Sequence, residues 1–432
     1  MKKYFIKTFG CQMNVYDSWR IAAMLDAHGM TATKSVADAD VIILNTCSVR
    51  EKATNKVFSE LGRVRDAKKP DAMFGIVGCV AREVGANAFH RIPELNFVLG
   101  PQSYHRLPEI LDDPDTKLLN IDLTGLEKFD ELPPMTTAPT VSYIPIQEGC
   151  NHCCTYCIVP YTRGREISRS FDDVMRDTLH AAKTGAVEIC FLGQNVNGYK
   201  YTDENGKIFR LSDLIRETAK VQEIRRIRFT SSYPTEMTDD LIEMFATEPK
   251  LLPFLNMPIQ SGSPDVLRRM NRPYSLDSYM DIVNKLRAAR PDIQISSDFI
   301  VGFPGETDDD FNQTLEIARR VRYINSYSFK YSPRPHTAAA IMPNQIPEKT
   351  KRERLAVLDN ALNEIQREFN ETCVGQKMPC LYEGADKTGK HLLYRTPYMQ
   401  QCIVPHNDSP QQMATIEITA ANRASLRGKI VD

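Results

Sequence analysis

The 432 residues, 42% hydrophobic and 25% charged, suit a folded protein of about two to four domains with a sizeable core. Wholesale disorder, a collagen-like chain and a coiled-coil rod are excluded, and no apolar run approaches the roughly 20 residues that span a bilayer. With 54 Lys and Arg against 55 Asp and Glu the net charge is −1, so a nucleic-acid site must be a local basic patch.

The first residues carry two lysines but no long apolar stretch and no small-residue cleavage site, so a cytoplasmic protein without a secretory signal is expected. Tyr4 to Phe9 reads as a strand and Asn14 to His28 as a helix. Val41 to Leu44 is continuously apolar, as a buried parallel strand should be. A charged helix from Glu51 to Lys68, a second buried strand from Phe74 to Val77 and a helix from Ala81 follow. This alternation predicts an open parallel α/β sheet over residues 1–118. Cys11, Cys47 and Cys79 each stand just past the C-terminal end of one strand, at spacings near the roughly 30 residues of a βαβ unit. A parallel sheet would bring all three to the one edge where ligands bind.

Residues 119–140 read as a linker, with a Pro- and Thr-rich stretch from Glu131 to Pro139. From 141 to 370 the alternation resumes. Candidate strands are 141–147, 187–192, 226–230, 254–258, 293–301 and 325–330, with helices near 171–184, 211–221, 238–246, 275–290 and 308–322. Six βα units are too few for a full eight-fold barrel and predict a partial TIM-like one, closed by a long helix from Glu348 to Thr372. Over 371–432, short β-prone runs alternate with turn signals and predict a small all-β barrel.

The densest chemistry is the loop after the first barrel strand, with Cys150, Cys153, Cys154 and Cys157. Cys150, Cys154 and Cys157 have C-x3-C-x2-C spacing, and tight spacing within one loop suits an iron–sulfur cluster. Three thiolates on a four-iron cluster leave one iron open, free to chelate the amino and carboxylate groups of S-adenosylmethionine at the barrel mouth. Cys153 creates a second register, Cys150-x2-Cys153-x3-Cys157. The first is preferred, with Tyr156 directly before the last cysteine, where its ring can pack on the cofactor's adenine. A zinc knuckle with Cys153 or His152 as fourth ligand is the competing reading, although knuckles favour C-x2-C pairs separated by longer loops.

These residues resemble a known family. Cys150, Cys154 and Cys157 match the signature of radical S-adenosylmethionine enzymes. The runs around the single cysteines, Thr8 to Asn14, Asn45 to Arg50 and Gly78 to Ala81, resemble the N-terminal domain of methylthiotransferases, and the tail resembles the RNA-binding TRAM domain. The resemblance covers nearly the whole chain. It implies a second, auxiliary 4Fe-4S cluster on Cys11, Cys47 and Cys79. Within the family, Gly10 to Asn14 and the following Tyr16, Asp17 and Ser18 resemble the branch that methylthiolates carbon 2 of N6-(dimethylallyl)adenosine at position 37 of tRNA. The alternatives are a threonylcarbamoyladenosine tRNA or a ribosomal protein as substrate and, outside enzymes, an iron–sulfur carrier or zinc-stabilised RNA-binding protein. Two incomplete three-cysteine sets argue against a carrier, which uses four protein ligands.

The chemistry makes two clusters necessary. Carbon 2 of adenine bears a strong, non-acidic C–H bond, which a primary alkyl radical from S-adenosylmethionine can break and a side-chain base cannot. An auxiliary cluster would hold the sulfur, and a second S-adenosylmethionine would donate the methyl group. The implied partners are the tRNA anticodon stem-loop and an external electron donor, with a monomeric chain and no membrane.

Several other residues are candidates by position. Gln194 and Asn195 follow the second barrel strand, Gln260 and Ser261 the fourth, and Asp298 lies in the fifth; each is a possible contact to cofactor or substrate. Ser263 reads equally as a helix N-cap. Arg163 and Arg165 follow the cluster loop and are expected to steer phosphates, and Arg334 is expected to meet one. Other basic clusters, such as Arg268, Arg269 and Arg272, read individually as solvated faces. His336 and Asn256 depart from the residues expected there, which bears on substrate geometry rather than on the reaction.

Overall fold

Six parallel strands form the N-terminal sheet of this computed structural model, which describes residues 1–48, 51–113, 116–123, 129 and 131–431, with backbone alone over 51–56. Their order across the sheet is Thr31–Ala32, Lys3–Phe9, Val41–Thr46, Met73–Gly78, Phe97–Leu99 and Leu118–Asn120. Every residue of Val41–Thr46 and Met73–Gly78 is buried, because helices cover both faces. The pleat divides them: Val41 and Ile43 pack with Ile21 and Leu25 of the Gln12–Ala27 helix, and Ile42 and Leu44 pack with Val57, Leu61 and Val64 of the Glu51–Ala67 helix. The last strand, Leu118–Asn120, runs across the boundary expected after residue 118. Of the expected linker, residues 124–128 and 130 lie outside the described residues.

The central domain is the expected partial barrel. Glu188–Leu192 pairs in parallel with Val141–Pro145 and Arg226–Phe229; Phe254–Asn256 pairs with Gln294–Ser296, and Asp298–Val301 with Tyr327–Lys330. The single strand expected over 293–301 is divided at Ser297, whose backbone N–H and C=O turn to Ser326 Oγ (3.1 Å) and the Tyr327 N–H (3.0 Å). This division lets one run pair with two different neighbours. The outer helices Phe171–Thr184, Leu276–Ala289 and Asp308–Val321 begin at Ser170, Ser275 and Thr307, each accepting an N–H from three residues on. A short helix, Pro264–Arg269, and a hairpin of Lys200–Thr202 with Ile208–Arg210 add to the expected elements.

The helix Glu348–Thr372 leads into a closed five-stranded barrel, ordered Lys377–Ala385, His391–Arg395, Gln401–Pro405, Leu426–Ile430 and Met413–Ala421. Both outer domains dock on the central one. Trp19 stacks on Tyr143 at 5.1 Å, and Met13 packs against Cys190 and Leu192. On the other side Arg226 donates to the carbonyls of Arg395 (2.8 Å) and Thr396 (3.2 Å).

Candidate metal centres at the sheet edge and the barrel mouth

Cys11 caps the Gln12–Ala27 helix, Cys47 follows Val41–Thr46, and Cys79 begins the Cys79–Val84 helix, so all three lie at the C-terminal edge of the sheet. Gly10 makes their approach possible: it has φ +144, and a Cβ there would lie 2.4 Å from the Cys47 Cβ. Beneath them Asn14 Nδ2 donates to Asn45 Oδ1 (2.8 Å), and Asn45 Nδ2 donates to Asn14 O (2.8 Å) and Ser18 Oγ (2.9 Å). The Cys11 thiol reaches Asn14 Oδ1 at 3.3 Å. Buried amides paired in this way fix the loops that carry the thiols. Hydrogen bonding with Cys47, helped by the charge of Arg163, lowers the Cys11 thiol to about 6, while burial raises that of Cys79. Val49 and Arg50 lie outside the described residues.

Arg163 is buried, contrary to the expected exposed phosphate contact. Its Nε donates to Cys79 Sγ (3.3 Å), Nη1 to Glu148 (3.1 Å) and Nη2 to Asp17 (3.3 Å). Arg334 is likewise buried, its charge acting on Glu83, so it is not an open phosphate site. Arg165 is exposed.

The Cys150–Cys157 loop is held at both ends. Gly149 has φ +74 and its N–H donates to Gln194 Oε1 at 2.7 Å; a Cβ there would lie 2.0 Å from Arg165 O. The Cys150 N–H donates to Gly164 O at 3.3 Å, and the Cys157 N–H to Cys154 O at 3.0 Å. Cys150, Cys154 and Cys157 are half-buried, and the charges of Cys154 and Cys157 both act on Cys150. Burial pushes the Cys150 thiol up to about 12 and the Cys157 thiol up to about 11, so binding a metal through them would release protons. Cys153 is exposed, its thiol turned to Asn151 O at 3.7 Å. His152 stacks on Tyr233 (ring centroids 3.7 Å apart) and pairs with Glu236 at 3.0 Å. Both proposed fourth ligands of a zinc knuckle are therefore turned elsewhere. Among the described residues no three His, Cys, Asp or Glu side chains converge on a single-ion site. A cluster asks for less convergence, since each cysteine binds its own iron, and the two three-thiol sets fit that demand.

Around the mouth the candidates divide. Gln194 braces the cluster loop, and Asn195 Nδ2 donates to Glu166 at 3.2 Å. Asn195 Oδ1 and Glu236 Oε2 are buried acceptors without a hydrogen-bond partner among the described residues. Gly198 leaves them room, since a Cβ there would lie 2.3 Å from Glu236 Oε2 and from Asn195 Nδ2. Such orphaned acceptors beside the Cys150 loop fit the ammonium of S-adenosylmethionine. Ser261, in contrast, is wholly buried, and its hydroxyl contacts Thr314 Oγ1 at 3.2 Å. Gln260 (φ +74) and Asp298 are half-buried and share a backbone hydrogen bond of 3.0 Å at the strand end. The Tyr156 ring packs partly on the apolar group of Val266, Met270 and Phe303. Sequence reasoning missed Glu166, Glu236 and Arg272. Arg272 read as a surface basic cluster but is buried, donating to the Tyr274 hydroxyl (2.8 Å) and Cys154 Sγ (3.7 Å).

Residues 3–100 match the family model described as Uncharacterized protein family UPF0004, and residues 144–318 match the Radical SAM superfamily. The chain is 46% identical over 442 residues, 99% of each chain, to the tRNA-2-methylthio-N(6)-dimethylallyladenosine synthase of Rickettsia bellii (strain OSU 85-389). It is 45% identical over 443 residues, the full length of both, to the protein of that name from Rickettsia conorii. A solved structure, the radical S-adenosylmethionine methyltransferase TsrM from Kitasatospora setae, superposes with a TM-score of 0.55 at 12% identity, covering 79% of this chain and 77% of that one, which shows a shared fold.

Proposed function

The chain belongs to the tRNA-2-methylthio-N(6)-dimethylallyladenosine synthase family, and from that premise we infer that it methylthiolates carbon 2 of N6-(dimethylallyl)adenosine at position 37 of tRNA. It is a radical S-adenosylmethionine transferase, a class that uses a 4Fe-4S cluster and S-adenosylmethionine. The observation that supports the fuller reading is Arg163, whose Nε donates to Cys79 Sγ at 3.3 Å while the next residue, Gly164, accepts the N–H of Cys150 at 3.3 Å. Cys150, Cys154 and Cys157 would hold the barrel cluster, and Cys11, Cys47 and Cys79 an auxiliary one. When bound, the barrel cluster would supply the radical from S-adenosylmethionine that removes the carbon 2 hydrogen, the auxiliary cluster would hold the sulfur, and a second S-adenosylmethionine would supply the methyl group.

The chain's own work is to bind, orient and exclude water. Gln194 sets the start of the cluster loop through Gly149. Asn195 and Glu236 offer acceptors to the ammonium of the cofactor, and Tyr156 lines the side where its adenine would lie. Gln260 and Asp298, tied by a backbone hydrogen bond, are further candidate contacts to the cofactor in this reading. Arg165 is the phosphate contact in this reading, and the C-terminal barrel, fixed by Arg226, supplies further RNA-binding surface. Electrons come from an external donor to a monomeric chain. No helix among the described residues is long and apolar enough to cross a membrane.

Mass spectrometry of tRNA nucleosides from a deletion strain, with and without this gene, tests the assignment. The 2-methylthio derivative of the prenylated nucleoside should appear only with the gene. A methylthio group found only on threonylcarbamoyladenosine would overturn it.

A further inference from the structure

We propose that Arg163 is a positioning residue for the auxiliary cysteine set: it donates a hydrogen bond to the Cys79 thiolate, raises the reduction potential of the cluster bound there, and keeps that set in register with the barrel loop. This rests on the reading of Cys11, Cys47 and Cys79 as cluster ligands.

All three guanidinium nitrogens are used, each toward a different part of the chain. Nη2 meets Asp17 on the first helix of the sheet domain, Nη1 meets Glu148 in the barrel, and Nε meets Cys79 Sγ at 3.3 Å. The two carboxylates are themselves held, Asp17 by the Tyr104 hydroxyl (3.2 Å) and Glu148 by Gln102 Nε2. A planar fork with fixed partners on both outer nitrogens has one remaining direction for Nε, and that direction is the thiol.

The backbone carries the same register to the other cysteine set. The Arg163 N–H closes the one-turn helix Val159–Thr162 by donating to Val159 O at 2.8 Å, directly after Cys157 and Ile158. The next residue, Gly164, accepts from the Cys150 N–H at 3.3 Å. Arg163 thus stands on backbone tied to both ends of the barrel-cluster loop while its side chain touches the auxiliary set. A salt bridge that only joined two domains would account for Asp17 and Glu148 but not for a donor aimed at sulfur. An N–H donated to a ligating sulfur favours the reduced, more negative cluster, so its removal lowers the potential.

The test is an EPR-monitored redox titration of the full-length protein, reconstituted anaerobically, as wild type, Arg163→Gln and Arg163→Lys, with a thermal melt of each. In Arg163→Gln the auxiliary midpoint should shift to more negative potential while the barrel cluster's midpoint stays put. Lysine keeps the charge but cannot serve three partners, so Arg163→Lys should recover most of the melting temperature and less of the midpoint. The Lys variant carries the measurement if the Gln variant loses its auxiliary irons. An unchanged auxiliary midpoint in both variants, with only the melting temperature lowered, would overturn the proposal and leave Arg163 as a domain tie. A wild-type protein that binds only about four irons would overturn it together with the two-cluster reading, before any variant is made.

Discussion

Arg272 Nη1 donates to Cys154 Sγ at 3.7 Å, whereas Cys153, one residue earlier, is exposed and turns its thiol to the Asn151 carbonyl. The buried guanidinium stacks over Tyr233 at 4.3 Å and is bonded to Tyr274, so it is a fixed donor. Each three-cysteine set thus has one buried arginine donating to one of its thiols.

This relationship supports Cys154 rather than Cys153 as the proposed ligand of the barrel loop. Cys153→Ala should retain the barrel cluster, and Cys154→Ala should lose it, read as an iron loss of about four per chain and the loss of its visible absorbance. The opposite pattern would mean that Cys153 is the ligand and that the loop rearranges around iron.

Replacing Cys11, Cys47 and Cys79 together by Ala should lower bound iron from about eight to about four per chain. Reductive cleavage of S-adenosylmethionine should continue, because Asn195, Glu236 and the Cys150 loop are untouched. Loss of cleavage in this variant would end the division of labour between the two sites.

Gly10→Ala tests the sheet edge by backbone geometry alone. A Cβ at 2.4 Å from the Cys47 Cβ and 2.7 Å from Asn14 Oδ1 cannot be accommodated without moving Cys47 or the Asn14–Asn45 floor. The expected outcome is loss of about four irons with the barrel cluster intact, at a stability cost of about 1–3 kcal/mol from overpacking. Full iron content in this variant would show that the cysteines converge differently when loaded.

Much of this was legible because it is local. Continuous apolar runs such as Val41–Thr46 marked buried parallel strands, and a cysteine after each of three strands placed the sheet-edge set. Elements without a period were not. Phe97–Leu99 and Leu118–Asn120 are three residues long and show no alternation. Leu426–Ile430, which closes the C-terminal barrel, carries Arg427 and Lys429 on its outer face and a glycine between them, so it shows no apolar run. At the site, Arg163 lies in a run that looks like a surface basic patch, and its partner Asp17 is 146 positions away. Ser261 follows a strand end as a ligand contact would, but Thr314 of a later helix takes its hydroxyl. Burial imposed by distant partners leaves no periodic trace near the residue.

The prenyl group of the substrate adenosine should be required for efficient turnover. A site that handles the adenine ring must also seat the apolar five-carbon tail beside it. Burying that tail is worth roughly 0.8 kcal/mol per CH2-sized group, on the order of 4 kcal/mol in all. Expressed in the transition state, this favours prenylated tRNA by several hundred-fold, at about 1.4 kcal/mol per factor of ten. With the chain's net charge of −1, affinity for the tRNA body must come from local contacts, Arg165 to phosphate being the proposed one, so binding should weaken steeply as salt is raised. The measurement is competition between two anticodon stem-loops that differ only in the prenyl group, at two salt concentrations. The expected result is a large preference for the prenylated loop that persists at both salts, because the apolar term is unscreened, while overall affinity falls. Equal turnover of the two loops, or preference for a threonylcarbamoyl-modified loop, would refute the substrate assignment and leave the methylthiotransferase chemistry standing.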